Sequence, residues 1–232
     1  MKEVFIVGGG DLAKKVIRLL QKIESHKIIG YIDVEDKGEI FGISYLGTDD
    51  FIDSVNAEYS DIEAILAISH EFLQERLMII NKLVNSNIGT PTICSKKTYI
   101  DKYARIGCGC VIFDDAYIDF DAEVGDFSII NINSVICHGV KLSGNNNISP
   151  GNILSGGVEL GKNVFVGSNS TINPYVKIAS NCIIGAGSVV VRDCNAKGTY
   201  VGNPSVIITN WYASMKKTIA NNIFGEFRLP GV

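Results

Sequence analysis

The chain has 232 residues, 46% of them hydrophobic and 20% charged, with a formal net charge of -4. That length fits one or two domains. The acidic balance argues against a nucleic-acid partner, which needs a basic face toward phosphate, and no apolar run approaches the roughly 18 residues of a membrane span.

Met1 to Gly8 lacks the basic-then-apolar pattern of a signal peptide and runs straight into a strand over Val4–Val7. A cytoplasmic protein is expected. Its six cysteines (Cys94, Cys108, Cys110, Cys137, Cys182 and Cys194) fit reduced thiols there. Gly8-Gly9-Gly10-Asp11-Leu12-Ala13 follows the strand, and apolar residues at helical spacing predict a helix over Lys14–Ile23. A second strand is predicted over Ile28–Ile32, ending at Asp33. A third covers Ala64–Ile68, with a helix from Glu71 to Val84. This is a Rossmann-like parallel α/β half domain, assigned to residues 1–93. Its first turn satisfies G-x-G-x-x-A, and Asp33 stands twenty residues past Ala13. Such glycines let backbone approach a phosphate at a helix N-terminus. A dinucleotide needs two such halves, so a single nucleotide is the better fit. The same turn also serves as a tight connection that binds nothing.

From Ile100 to Val190 every sixth residue is Ile, Leu or Val, sixteen in succession. The preceding register fails, carrying Arg105, Glu123, Lys141, Glu159 and Lys177. A hexad matches neither strand nor helix period. It is the hexapeptide repeat of a left-handed parallel β-helix, three hexads to a triangular coil, assigned to residues 94–205. Four residues past each aliphatic rung stands a second, mostly smaller one, such as Cys110, Ser128, Asn146 or Cys182. The next residue after the rung is often Gly or polar, as at Gly107, Gly125 and Gly167, and is expected at the corners. Asn145, Asn146 and Asn147 together read as a polar corner turn. Residues 206–232 form a tail expected to be helical over Trp211–Ile223.

There are three histidines, and only His138 lies on the β-helix. At a corner it points outward and can accept a proton near neutrality, though a solvated surface histidine would look the same. The three-imidazole zinc site of a β-helix carbonic anhydrase is excluded by this count, and no metal is expected. Cys137 is adjacent, but strand neighbours face opposite ways, so a Cys-His dyad is not expected.

The Gly-rich βαβ unit, the hexapeptide helix, His138 near its middle and Val201-Gly202-Asn203-Pro204-Ser205 together resemble the PglD/NeuD-type bacterial nucleotide-sugar acetyltransferases. The resemblance covers residues 1 to about 206. It implies a homotrimer with acetyl-CoA in the groove between neighbouring β-helices and a nucleotide sugar on the N-terminal domain. His138 matches the catalytic base, and Gly156 is the candidate oxyanion donor. Asn147, Ser168 and Ala186 match coenzyme-contacting positions. Gly10, Asp11 and Leu12 match the phosphate turn, Asp33 and Val34 the base and ribose contacts, and Ser69 the end of the third strand. Two departures stand out. Relatives commonly carry an acid after the histidine, where this chain has Gly139; Asp119, Asp121 or a backbone carbonyl are the candidates to replace it. Asp11 puts a carboxylate beside the expected diphosphate unless it caps the helix. The implied activity is N-acetylation of a UDP- or dTDP-linked amino sugar, in surface glycan or O-antigen synthesis. The alternatives are a sialic acid O-acetyltransferase and a non-catalytic β-helix scaffold, with a nicotinamide-dependent oxidoreductase behind them.

Overall fold

A computed structural model of the protein describes residues 1–59 and 61–208. The N-terminal unit runs β1 (Lys2–Val7), α1 (Asp11–Ile23), β2 (His26–Ile32), β3 (Tyr45–Gly47), α2 (Phe51–Glu58), β4 (Ile62–Leu66) and α3 (Leu73–Asn85). The four strands form a parallel sheet in the order β3-β2-β1-β4. The chain reverses direction of growth at β1, so the ends of β1 and β4 leave a crevice where open α/β sheets take ligands. Helix α1 buries Ala13, Val16, Ile17, Leu19, Leu20 and Ile23 against the sheet, which is the apolar stripe read from its spacing.

The unit holds two elements beyond the predicted ones. Strand β3 has three half-buried residues, and α2 is one short helix. Neither is long enough to display a period. The strand expected at Ala64–Ile68 is β4, shifted to Ile62–Leu66, and β2 opens at His26, two residues before the expected Ile28. The His26 ring Nε2 lies 3.3 Å from Glu63. Helix α3 is preceded by a 3-10 turn over His70–Phe72.

From Ile93 onward the chain forms two-residue strands that pair with those 18 residues away. Three parallel sheets result. One begins at Ile93–Cys94, passes through Val111–Ile112, Ile129–Ile130, Asn147–Ile148, Phe165–Val166 and Ile183–Ile184, and is closed by Thr199–Val201 and an antiparallel Val206–Ile208. The second runs from Tyr99–Ile100 to Val189–Val190, and the third from Arg105–Ile106 to Lys177–Ile178. Residues 206–208 are thus strand; the helix expected at Trp211–Ile223 lies outside the described residues.

The aliphatic rungs form one core with the second, smaller rung. Cys110, Cys182 and Cys194 are all buried in it, as expected of packing thiols. Each buried Ile, Leu or Val contributes roughly 1.5–3 kcal/mol, and the stack repeats this along the prism axis.

The corners differ from expectation in one respect. Left-handed backbone falls three residues past each rung from Ile106 to Ile184, at Gly109, Asp115, Asp121, Phe127, Asn133, Gly139 and onward every six residues to Gly187. Asparagine is frequent there because it tolerates this region. The glycines directly after a rung are needed for a different reason. A Cβ on Gly107 would lie 2.2 Å from Asp126, and one on Gly167 2.5 Å from the Ala186 nitrogen. They are small because the next coil is stacked on them. The Asn145-Asn146-Asn147 turn resolves the same way: Asn145 is the left-handed corner, Asn146 is inside the prism, and Asn147 is on a strand facing out.

Each sheet of the prism has its own outer surface. The first is covered by the α/β unit: Val111, Phe113 and Ile129 share a core with α1 and β1. Arg76 of α3 bolts this seam. Buried, and facing no carboxylate among the described residues, it donates to the side chain of Asn145 (2.7 Å) and to the carbonyls of Ile68 (2.6 Å) and Phe127 (2.7 Å). Burial pulls its guanidinium down to about 10. Asn145 continues the bond through Asn163 to Asn181 along one corner. The third sheet shows alternating charge, with Glu123 against Arg105 and Lys141, and Glu159 against Lys177. It is a solvated face. The second sheet turns Tyr99, Tyr117 and Ile153 outward, all exposed, with the two tyrosine rings stacked at 4.7 Å.

Candidate active site

A cavity of about 1070 Å³ opens between the α/β unit and the covered face of the prism. Gly10, Asp11, Leu12, Asp33, Val34 and Ser69, drawn from three separate stretches of sequence, all line it. The Gly-rich turn is held in shape by its own strand ends. Gly8 has φ +114°, and a Cβ there would meet the Ala67 carbonyl at 2.8 Å. The Gly9 N–H donates to the Asp33 carboxylate at 2.6 Å. Gly10 differs: a Cβ there would meet nothing within 4 Å. Its missing side chain faces open cavity, which fits a ligand drawn close to the backbone.

Three details bear on the chemistry. Asp33 spends one oxygen on the turn, so it shapes the site as well as facing it. Asp11 does not cap α1; Gly10 holds that position, and Asp11 pairs with Lys14 at 3.0 Å. Its carboxylate is among the groups lining the cavity, and the exposed pair with Lys14 offsets part of its charge. Ser69 accepts from the Glu71 N–H at 3.4 Å and starts the 3-10 turn. Across the cavity the prism contributes Asn131, Asn147, Ser149 and Pro150. Ser168 and Ala186 lie 18 and 36 residues beyond Pro150, on the same corner in successive coils.

His138 and Gly156 are elsewhere. They stand one coil apart at the next corner, with the outward-facing apolar sheet between them and the cavity. The imidazole is exposed, as expected of a corner. Phe120, one coil before, stacks on it at 5.4 Å and 11°. Its Nδ1 lies 3.8 Å from Asp119 Oδ2. Of the carboxylates considered as orienting groups, Asp119 is the one the coil stacking brings to the ring. The Gly156 site is fitted to the ring's other edge, because a Cβ there would lie 2.5 Å from Nε2. Among the described residues no hydrogen bond uses the Gly156 N–H. Cys137 packs against the prism core, and burial raises its thiol, so it does not pair with His138.

Phe120, Lys15 and Asn131 went unnoticed in the sequence. A signal for the first was available: residues 18 apart share a corner, so 120, 138 and 156 form one column once the coil length is known. Among the described residues no group of three or more His, Cys, Asp or Glu is placed to hold a metal ion, and no helix is long and apolar enough to cross a membrane.

Family models place a PglD N-terminal domain at residues 3–81 and a bacterial transferase hexapeptide repeat at residues 157–192. With the fold and the cavity, these matches class the N-terminal unit with PglD N-terminal domains and the prism with bacterial hexapeptide transferases, and the chain as a whole resembles the acyltransferases of the PglD/NeuD type. Similar solved structures include PerB from Caulobacter crescentus in complex with CoA and GDP-perosamine, at 26% identity and a TM-score of 0.82, covering 90% of this chain and 98% of that one. The acetyltransferase domain of PglB from Neisseria gonorrhoeae matches at 22% identity and 0.83, covering 90% and 100%. WeeI from Acinetobacter baumannii matches at 22% and 0.77, covering 90% and 100%. No curated protein sequence matches the chain significantly.

Proposed function

We propose that the protein transfers an acetyl group from acetyl-CoA to the amine of a nucleotide-linked amino sugar, UDP- or dTDP-linked, in surface glycan synthesis in the cytoplasm. The nucleotide occupies the cavity at the Gly-rich turn. The coenzyme follows the face and corner marked by Asn147 on its strand and by Ser168 and Ala186 at the corner. The sugar amine attacks the thioester carbonyl, and His138 Nε2 takes the proton the amine loses. The Gly156 N–H holds the oxyanion as the tetrahedral intermediate forms. The intermediate collapses with loss of CoA as thiolate, which the proton on His138 neutralises. Asp119 and Phe120 position the imidazole in place of the acid absent at Gly139. PerB, crystallised with CoA and GDP-perosamine, supports both substrate classes and makes GDP-linked sugars a necessary arm of the assay.

The observation that carries the proposal is the separation of the two half-sites. Cavity and histidine occupy different corners of one prism, six residues of chain and at most about 20 Å apart at the extended rise. His138 is not among the residues that line the cavity. The apolar face of Tyr99, Tyr117 and Ile153 lies between them, next to His138, and is suited to a second copy of the chain. A homotrimer closed through that face sets the histidine of one subunit against the cavity of the next.

The test is mixed assembly. His138→Ala and a cavity variant, Gly10→Trp, are each expected to be inactive with acetyl-CoA and a panel of UDP-, dTDP- and GDP-amino sugars. Co-expressed, they form trimers in which some sites pair an intact histidine with an intact cavity, and activity returns. If co-expression restores nothing while each variant trimerises normally, the shared site is wrong. An acceptor panel that includes sialic acid separates N- from O-acetylation. Absence of thermal stabilisation by CoA and by every nucleotide would favour a scaffold.

A further inference from the structure

Three lysines line the cavity, and they are not equivalent. Lys37 is paired with Glu35, and Lys82 with Asp49 and Asp53, each at 3.0 Å. Lys15, on the second turn of α1, has no carboxylate partner among the described residues. Its Nζ donates to the side-chain oxygen of Asn131 at 2.9 Å and sits 4.6 Å over the ring of Phe113. Both neighbours belong to the prism, so the amine is held at the seam where the Gly-rich turn faces the β-helix. Burial lowers its pKa. The lysine is exposed on the cavity wall, and its ammonium, flanked by neutral partners, leaves a positive charge that an anion in the cavity can complete.

Resting on the nucleotide-sugar assignment above, we infer that Lys15, steadied by Asn131, is the cationic ligand for the phosphate ester of the bound substrate, opposite the backbone of Gly10. Backbone N–H groups at the turn and one lysine then hold the diphosphate from two sides. The arrangement accounts for a Gly-rich turn that carries Asp11 without repelling its ligand: Lys14 offsets part of that carboxylate's charge, and Lys15 supplies the positive charge inside. The same chemistry suits either the diphosphate of a nucleotide sugar or the phosphates of CoA. Placement beside Gly10 and Leu12 favours the nucleotide.

Isothermal titration of the full chain with UDP, dTDP, GDP, uridine and CoA distinguishes the sources. Lys15→Met keeps the apolar stem on Phe113 and removes the charge; Lys15→Arg keeps the charge. The best-bound nucleoside diphosphate is expected to lose about 10- to 100-fold in affinity in Lys15→Met, with most restored in Lys15→Arg. Uridine and CoA are expected to bind the wild type and Lys15→Met equally, and salt is expected to weaken diphosphate binding more in the wild type. Thermal unfolding verifies that both variants fold. If the wild type binds a diphosphate and Lys15→Met matches it within twofold, the lysine assignment fails and the nucleotide site stands. If CoA alone loses affinity, the amine serves the coenzyme and the inference is overturned. If the wild type binds none of the three diphosphates, the nucleotide reading falls and takes this inference with it.

Discussion

Nδ1 of His138 and Oδ2 of Asp119 lie 3.8 Å apart, although nineteen residues separate them in the chain. One coil of the β-helix advances 18 residues, so Asp119 belongs to the coil below, one position before the corner that Phe120 shares with the histidine. The distance exceeds a hydrogen bond, and the pair becomes a charge contact only once the imidazole carries a proton.

His138→Ala is expected to lower kcat by about 10²–10⁴-fold, the usual span for loss of a general base. Asp119→Asn is expected to lower kcat by about fivefold with KM nearly unchanged, since exposed pairs contribute up to ~1 kcal/mol. Asp119→Glu is expected to recover part of the loss. Steady-state kinetics on the best acceptor decide it. Near-wild-type turnover by His138→Ala would remove the assigned base.

Gly156→Ala tests how tightly the ring is seated. The added Cβ would stand 2.5 Å from Nε2, and Gly156 is not among the residues with positive φ, so the backbone accepts alanine. Displacing the imidazole by about 1 Å is expected to cost about 10² in kcat with little change in Tm. Gly139→Ala is the contrasting variant: at φ +64° its cost falls on stability, about 1 kcal/mol.

The seam between the two parts rests on Arg76. Arg76→Met leaves the Asn145 side chain and two carbonyls without their donor and is expected to destabilise the protein by about 2–4 kcal/mol. Urea unfolding measures this, and a change under ~0.5 kcal/mol would show that water replaces the guanidinium. Lys is a poor substitute, since one ammonium does not reproduce three fixed donors.

His70 packs on Phe165 at 5.3 Å and is pushed down to about 4 by burial and then by Arg76. Between that value and the ordinary 6.5 the unfolded chain binds more protons than the folded one, so stability is complete above about 6.5 and is lost as pH falls toward 4. Allowing for partial exposure of the ring, its share is about 1–2 kcal/mol. Urea unfolding of the wild type and His70→Phe at pH 7 and pH 4.5 is expected to show a smaller acid loss in the variant. Equal losses would place the acid sensitivity in other groups.

Ile153→Arg puts a charge in the middle of the exposed apolar face. Sedimentation is expected to show a shift from trimer to monomer, with activity lost in parallel. Arg105→Gln on the charged face is expected to change neither. A monomeric wild type would contradict the shared site directly.

The hexad was legible because each rung meets the same environment every six residues, and the core of the prism tolerates little but Ile, Leu and Val there. The Gly-rich turn was legible for a similar reason: backbone at Gly8 leaves no room for a side chain. The three faces were also written in the chain, at a period of 18 rather than six. The register that breaks the ladder, Arg105, Glu123, Lys141, Glu159 and Lys177, is a single solvated face, and Tyr99, Tyr117, Val135 and Ile153 are another. Short elements such as β3 and α2 left no period to read. What only the tertiary structure decided was which residues meet. It bound Asp33, expected as a base or ribose contact, to the Gly-rich turn itself, brought Asp119 and Phe120 to His138, set Lys15 against Asn131, and left His138 outside the cavity lining. The advance of 18 residues per coil follows from the repeat, but the ring and carboxylate geometry at a corner depends on how side chains settle between coils, and contacts across the seam depend on where one unit docks on the other; local sequence pattern encodes neither.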